Sequence, residues 1–207
     1  MYYQILNKKR REILPLFKEL KSKFYLAGGT GLALLMGHRD SVDFDFFSSN
    51  KFLTEEIFNY FNSKDKYEVV KTQEEKDTLS IQIDKEINVS FFFHPYKLLK
   101  EPHNEENLRI ASINDIGAMK LNAITGRASI KDYVDLYYIL KKIELKKLLE
   151  ETIEKYPNIN TQLVLKSLVY FKDIKEEPIL FKKEKKVSQK EVENFLKKEV
   201  AEAQKYF

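Results

Sequence analysis

Gly28-Gly29-Thr30, followed thirteen residues on by Asp43-Phe44-Asp45, is the stretch that decides how this chain is read. Phe24-Tyr25-Leu26-Ala27 is a short apolar run that stops at the glycine pair, which predicts a buried strand. Thr30 is placed to cap a helix through Leu32, Ala33, Leu34 and Leu35, and Gly37 is placed to end it. A second strand is expected over residues 42–47, with Phe44 and Phe46 on one side and Asp43 and Asp45 on the other. A glycine pair at a strand-to-helix turn lets backbone amides approach a phosphate, and the helix dipole favours the anion. Two carboxylates on one inner strand face repel each other unless a cation neutralises them. Oxygen-only ligands favour magnesium or manganese over zinc. Transfer of a nucleotidyl group from a triphosphate needs both halves of this arrangement.

Upstream, Ile5, Ile13, Leu14, Phe17 and Leu20 predict an amphipathic helix over residues 4–21, interrupted at Pro15. Downstream, Thr54 is read as the cap of a helix through Ile57, Phe58 and Phe61, with Glu55 and Glu56 in its first turn. Leu79, Ile81 and Ile83 alternate with polar residues, and a turn near Lys85 leads into Ile87–Phe93, so the two runs predict a β-hairpin. After Pro102 the apolar period changes from two to about three and a half. Ser112 with Asp115 and Ser129 with Asp132 read as capping boxes that open two helices. Further helices are expected over residues 145–156, 161–171 and from Ser188 to the end, with a linker around Pro178. The fold class is α+β: a mixed sheet flanked by helices over residues 1–110, then a helical region over 111–207.

Composition narrows the classes. The chain has 207 residues, no Cys and no Trp, which excludes disulfides and cysteine-based zinc sites. A net charge of +4 permits nucleic-acid contact without arguing for it. No apolar run approaches the roughly 20 residues needed to span a bilayer, and no apolar segment follows the basic N-terminus. A cytoplasmic protein without membrane partners is expected.

Other residues are candidates with bland alternatives. Arg39 can clamp a phosphate and Ser41 can donate to one; His38 reads as an exposed loop histidine. Lys120 falls in the middle of the stripe formed by Ile113, Ile116, Ala123 and Ile124, with Arg127 on the same stripe, so a wet cleft is expected there and Lys120 is read as reaching triphosphate oxygens. Lys131 and Asp135 read as an i,i+4 pair and Asp132 as a cap. Tyr133, Tyr137 and Tyr138 read as core. The runs Lys8-Lys9-Arg10-Arg11 and Lys182-Lys183-Glu184-Lys185-Lys186 read as solvated faces.

Several motifs resemble the AbiEii/AbiGii-type toxin nucleotidyltransferases of the DNA polymerase β-like superfamily. They are residues 26–34 (LAGGTGLAL), 37–47 (GHRDSVDFDFF), 115–127 (DIGAMKLNAITGR), 131–137 (KDYVDLY), 170–173 (YFKD) and Pro178. The resemblance implies a nucleotidyltransferase core with a helical region closing over the nucleotide. Gly28, Gly29 and Thr30 would hold the triphosphate, and Asp43 and Asp45 would bind magnesium. Lys120, Lys131, Asp132 and Asp135 fall on positions associated with activity. It also implies a growth-arresting toxin with a cognate antitoxin, an NTP substrate, and tRNA or protein as acceptor. The superfamily places a third carboxylate on a later strand; here Ser90 or Asn88 stands in that place. A base from Asp132 or Asp135 is one resolution. A catalytically silent nucleotide- or RNA-binding module is the other.

Overall fold

The computed structural model describes residues 1–174 and 177–207. Its N-terminal segment forms a 3-10 turn (Tyr3–Ile5), helix α1 (Lys8–Glu12) and a second 3-10 stretch (Leu14–Leu20). The single helix expected over 4–21 is therefore three pieces. Pro15 lies at the start of the last piece, where its missing N–H leaves no bond unmade.

Next come β1 (Tyr25–Leu26), α2 (Gly28–Met36), β2 (Phe44–Ser48) and α3 (Thr54–Asn62). Strands β3 (Val69–Glu75), β4 (Thr78–Ile83) and β5 (Ile87–Phe93) follow, then the short β6 (His103–Asn104) and β7 (Arg109–Ile110). The remainder is helical: α4 (Ile113–Ala123), α5 (Ile130–Leu140), α6 (Leu145–Lys155), α7 (Thr161–Leu168) and α8 (Gln189–Ala203). The strands form one seven-stranded mixed sheet, ordered β3-β4-β5-β2-β1-β7-β6. Strand β2 lies inside it, parallel to β5 and antiparallel to β1. The hairpin of β4 and β5 turns through Asp84 and Lys85, both at positive φ. Strand β3 has too little apolar alternation to read from sequence. It is an edge strand paired only to β4, so most of its side chains meet water.

Alternate residues of the sheet feed two cores. Phe44, Phe46 and Phe91 pack with Phe17, Phe24 and Phe61, each worth about 1.5–3 kcal/mol on burial. Tyr25 and Ala27 pack instead with Ile116, Tyr133, Leu136 and Leu148 from the helical region. Helix α2 serves both cores: Ala33 and Leu34 belong to the first, Leu32 and Met36 to the second. It is apolar on all sides because it is covered on all sides. The change from strands to helices falls between β7 and α4, yet α2 joins the two regions through a shared core.

Several caps differ from expectation. Thr30 and Thr54 lie inside their helices, and Thr54 bonds Glu74 instead of capping. Ser112 does cap α4, accepting from the Asp115 N–H at 3.0 Å. Asp115 does not reach back to the cap backbone. It accepts from the Leu99 N–H and pairs with Lys155, both at 0% side-chain exposure. Ser129 makes no side-chain cap on α5, while Ser188 caps α8 as read.

Candidate functional site

The turn from β1 into α2 is tied to β2 by the Ala27 N–H, which donates to the Asp45 carbonyl at 3.0 Å. Gly28 opens α2 at φ 61°, in the left-handed region. A Cβ there would stand 2.8 Å from Asp45 Oδ2, so both the conformation and the space demand glycine. At Gly29 a Cβ would meet Arg39 Nη2 at 2.6 Å and Ser41 Oγ at 3.3 Å. The bare edge of the helix start thus faces a carboxylate at one residue and a guanidinium and hydroxyl at the next.

Thr30 is buried, and its hydroxyl works locally. It lies 2.8 Å from Ser41 Oγ and donates to the Asp43 carbonyl. Arg10, read as part of a solvated face, is 7% exposed and donates from Nε to the Val42 carbonyl at 2.7 Å. These two contacts hold the loop that delivers the acids. Asp43 sits just before β2, exposed, and accepts from Asn88 Nδ2 at 3.0 Å. Asp45 is two residues further on, inside β2 and half-buried. Burial first, and the Asp43 charge second, push its carboxyl above the ordinary value against the weaker pull of Lys120 and Arg127.

The two acids fit a divalent cation. An anion disfavoured by burial and by a like neighbour gains from a cation on the exposed side, and both donors are hard oxygens. Among the described residues no cluster of three or more His, Asp or Glu side chains is grouped for a metal. A two-carboxylate site suits magnesium, which keeps waters and phosphate oxygens in its remaining positions.

Behind the acids lies an ion network from α4, α5 and the loop after α2. Asp135, fully buried, accepts from Arg39 Nε at 2.7 Å and Nη2 at 2.8 Å, and from His38 Nε2 at 2.8 Å. Lys120 Nζ lies 2.6 Å from both Asp135 Oδ2 and Asp132 Oδ1. Arg127 Nε donates to Asp132 Oδ2 at 2.7 Å, its side chain still 64% exposed. Burial works against the charged form of both acids. Lys120 acts together with Arg39 and His38 on Asp135 and with Arg127 on Asp132; these partners jointly outweigh burial, and both carboxyls lie below their ordinary range, Asp135 well below.

This geometry revises several sequence-based roles. Arg39 is 4% exposed and grips Asp135 bidentately, so a phosphate would have to compete with that grip. Lys120 is likewise engaged by two acids before any triphosphate arrives. Lys131 pairs with Glu177 at 2.7 Å, not with Asp135. Asp132 is a network member and not a cap. His38 is wholly buried. Burial pushes it below its ordinary value despite Asp135, and its Nδ1 has no partner among the described residues.

Acids, glycine turn and network border one cavity of about 1040 Å³. Gly29, Ser41, Asp43, Asp45, Arg127 and Lys131 line it, and Arg39, Lys120 and Asp132 form its back. Gly28 and Asp135 are not on this wall. Pro178, Ile179 and Leu180 form another wall. The segment read as a linker is therefore structural: Phe181 bridges to Arg39, and the Asp40 N–H donates to the Leu180 carbonyl at 2.8 Å. Residues 175–176 of that segment lie outside the described residues.

The sequence pattern described as "Nucleotidyl transferase AbiEii toxin, Type IV TA system" matches residues 16–205. The chain belongs to the AbiEii nucleotidyl transferase toxin family. A relative in sequence, the uncharacterized protein aq_aa25 of Aquifex aeolicus (strain VF5), is 39% identical, covering 95% of this chain and 97% of its own. Solved structures with the same fold include MenT4, a nucleotidyltransferase toxin from Mycobacterium tuberculosis H37Rv, with TM-score 0.64 and 14% identity over 96% of this chain and 83% of that one. JHP933 from Helicobacter pylori is similar with TM-score 0.57 and 16% identity, covering 99% of this chain and 95% of that one. This AbiEii chain is thus a nucleotidyltransferase with a mixed α+β fold. Among its described residues, no helix is long and apolar enough to cross a membrane.

Sequence reasoning missed Arg10, His38 and Glu177 in this AbiEii site. The signal for His38 was present: it directly follows Gly37, which ends a helix apolar on every face and mostly buried, so the chain leaves that helix inside the protein. Arg10 and Glu177 sit in charge-rich stretches that carry no such cue.

Proposed function

We propose that this chain moves an NMP from an NTP to an acceptor hydroxyl, with magnesium or manganese, as the toxin of a toxin–antitoxin pair. The observation that carries the reading is the placement of Asp45 against the bare Gly28 edge of α2, with Asp43 on the same strand entrance. The amides of Gly28 and Gly29 and the α2 dipole suit triphosphate oxygens. Asp43 and Asp45 would hold the cation, which supplies charge neutralisation at the phosphates. The acceptor oxygen attacks the α-phosphorus and gives up its proton to water, the bond from that phosphorus to the bridging oxygen breaks, and pyrophosphate leaves with the electron pair. The chain's own contribution is positioning and electrostatics.

Asp132 and Asp135 are poor candidates for the base, since each is held ionised in a salt bridge with a lowered proton affinity. Exposed Arg127 and half-buried Lys131, both on the cleft wall, are suited to an anionic acceptor, and tRNA meets that description better than a protein does. A neighbouring antitoxin is the partner that family membership suggests. The test is transfer from α-labelled NTPs to total RNA and to protein extract. Wild type gives a labelled product, while Asp43→Ala and Asp45→Ala, with unchanged circular dichroism, give none. Nucleotide binding without any product from wild type would instead favour a silent binding module.

A further inference from the structure

A second, smaller cavity of about 310 Å³ opens on the other side of Asp45. It shares Asp45, Lys120 and Arg127 with the large cleft. Gly28 lines this smaller cavity, whereas Gly29 lines the large one. Apart from the shared end its character changes. Phe47 and Phe92 come from neighbouring positions of β2 and β5, stacked with centroids 5.2 Å apart. His94 and Tyr156 add two more flat side chains, and Met119 and Ala123 come from α4.

The His94 ring is held from both ends. Its Nδ1 lies 3.2 Å from the Tyr25 hydroxyl and its Nε2 3.0 Å from the Tyr156 hydroxyl. One tyrosine donates and the other accepts, as a neutral imidazole requires. The cavity is thus a fixed aromatic slot with charge only at the end where it meets the acids. Its volume is at the low end of small-ligand sites, roughly 300–1000 Å³, enough for one ring system and not for a folded polymer.

We propose that this slot seats a nucleobase, stacked among Phe47, Phe92 and His94, while the phosphates attached to it lie at the shared end by Asp45 and Lys120. The proposal rests on the nucleotidyl-transfer reading and names the recognition chemistry of that site. A flat ring joined to a polyanion is the ligand shape that matches an aromatic slot ending in Lys120 and Arg127. Asn122 also lines the slot and is exposed, so its amide is available to a base edge. The base comes from either the incoming NTP or the terminal residue of a nucleic-acid acceptor.

The experiment uses Ala123→Trp, which fills the slot, and Phe92→Ala, which removes a stacking face. Calorimetry with magnesium measures binding of each NTP and of inorganic tripolyphosphate. Fluorescence anisotropy measures a short single-stranded RNA with a normal or an abasic 3′ terminus. If the slot takes the incoming base, both variants lose NTP affinity about tenfold and keep wild-type tripolyphosphate affinity, which also reports an intact fold. If it takes the acceptor base, NTP affinity is kept, and wild type prefers the normal over the abasic terminus while both variants do not. Unchanged NTP affinity together with no terminal preference in wild type would overturn the proposal. Failure of wild type to bind both NTP and tripolyphosphate would instead overturn the nucleotidyl-transfer reading beneath it.

Discussion

Ser90 stands beside Asp45 in the parallel register of β2 and β5, its hydroxyl hydrogen-bonded to Ser80 at 2.9 Å. Side chains at paired positions of neighbouring strands lie on one face, so Ser90 occupies the place next to the half-buried acid. Changing Ser90→Asp sets a third carboxylate there. The metal-free variant is expected to be less stable than wild type by on the order of 1–3 kcal/mol, from like charge and the lost serine pair. Magnesium should return more stability to the variant than to wild type. Urea unfolding with EDTA and with magnesium checks both halves.

Asp45→Asn should stabilise the metal-free protein at neutral pH. Burial and then Asp43 raise the folded-state proton affinity of Asp45. A group raised in this way favours folding below its unfolded pKa and loses that contribution as pH rises through the folded one. At pH 7 the charged form is therefore a cost, and the amide removes it. For a chain of this size each 1 kcal/mol gained shifts Tm by roughly 2–4 °C. The same variant should lose any rise in Tm on adding magnesium.

Asp135→Asn should destabilise by about 3–5 kcal/mol, because Arg39 and Lys120 keep buried charge with one acid fewer to share. Arg39→Lys should cost less, losing the two-pronged grip but keeping the charge. Denaturant midpoints at pH 7 give the order. Because Asp135 is held well below the ordinary carboxylate range, its contribution should persist through mild acid, fall as pH drops below the ordinary carboxylate value, and be lost once pH has passed the lowered one.

His94 predicts a separate acid sensitivity. Burial, then Lys155, lowers it to about 4 from the ordinary 6.5. Between those values the unfolded chain takes up a proton that the folded chain refuses, so stability falls as pH drops from 6.5 to 4 and this term levels off below. His94→Gln should flatten that part of the profile, leaving the remainder from other groups such as His38. Thermal unfolding at half-unit pH steps measures the difference.

Much of this was legible in the chain. The strand, glycine turn, helix and acid-bearing strand follow from apolar runs of known period and from two glycines. Gly28 is where it must be, given its left-handed backbone and Asp45 at its Cβ position. The hidden parts were long-range. Whether Asp132 caps a helix or binds Lys120 depends on where α4 lies against α5, and local spacing holds no record of that. Arg10 reads as a surface cation and Arg39 as a phosphate clamp because local sequence cannot show that the Val42 carbonyl and Asp135 wait for them. Strand β3 was invisible because an edge strand needs no apolar face.

The most direct test of the cradle formed by Gly28, Gly29, Asp43 and Asp45 is calorimetric titration of an NTP into wild type, with magnesium and with EDTA. Binding that needs magnesium, and that disappears in Asp43→Ala and Asp45→Ala while their unfolding remains cooperative, is the predicted result. Equal NTP affinity with and without magnesium, unchanged in both alanine variants, would contradict the assignment.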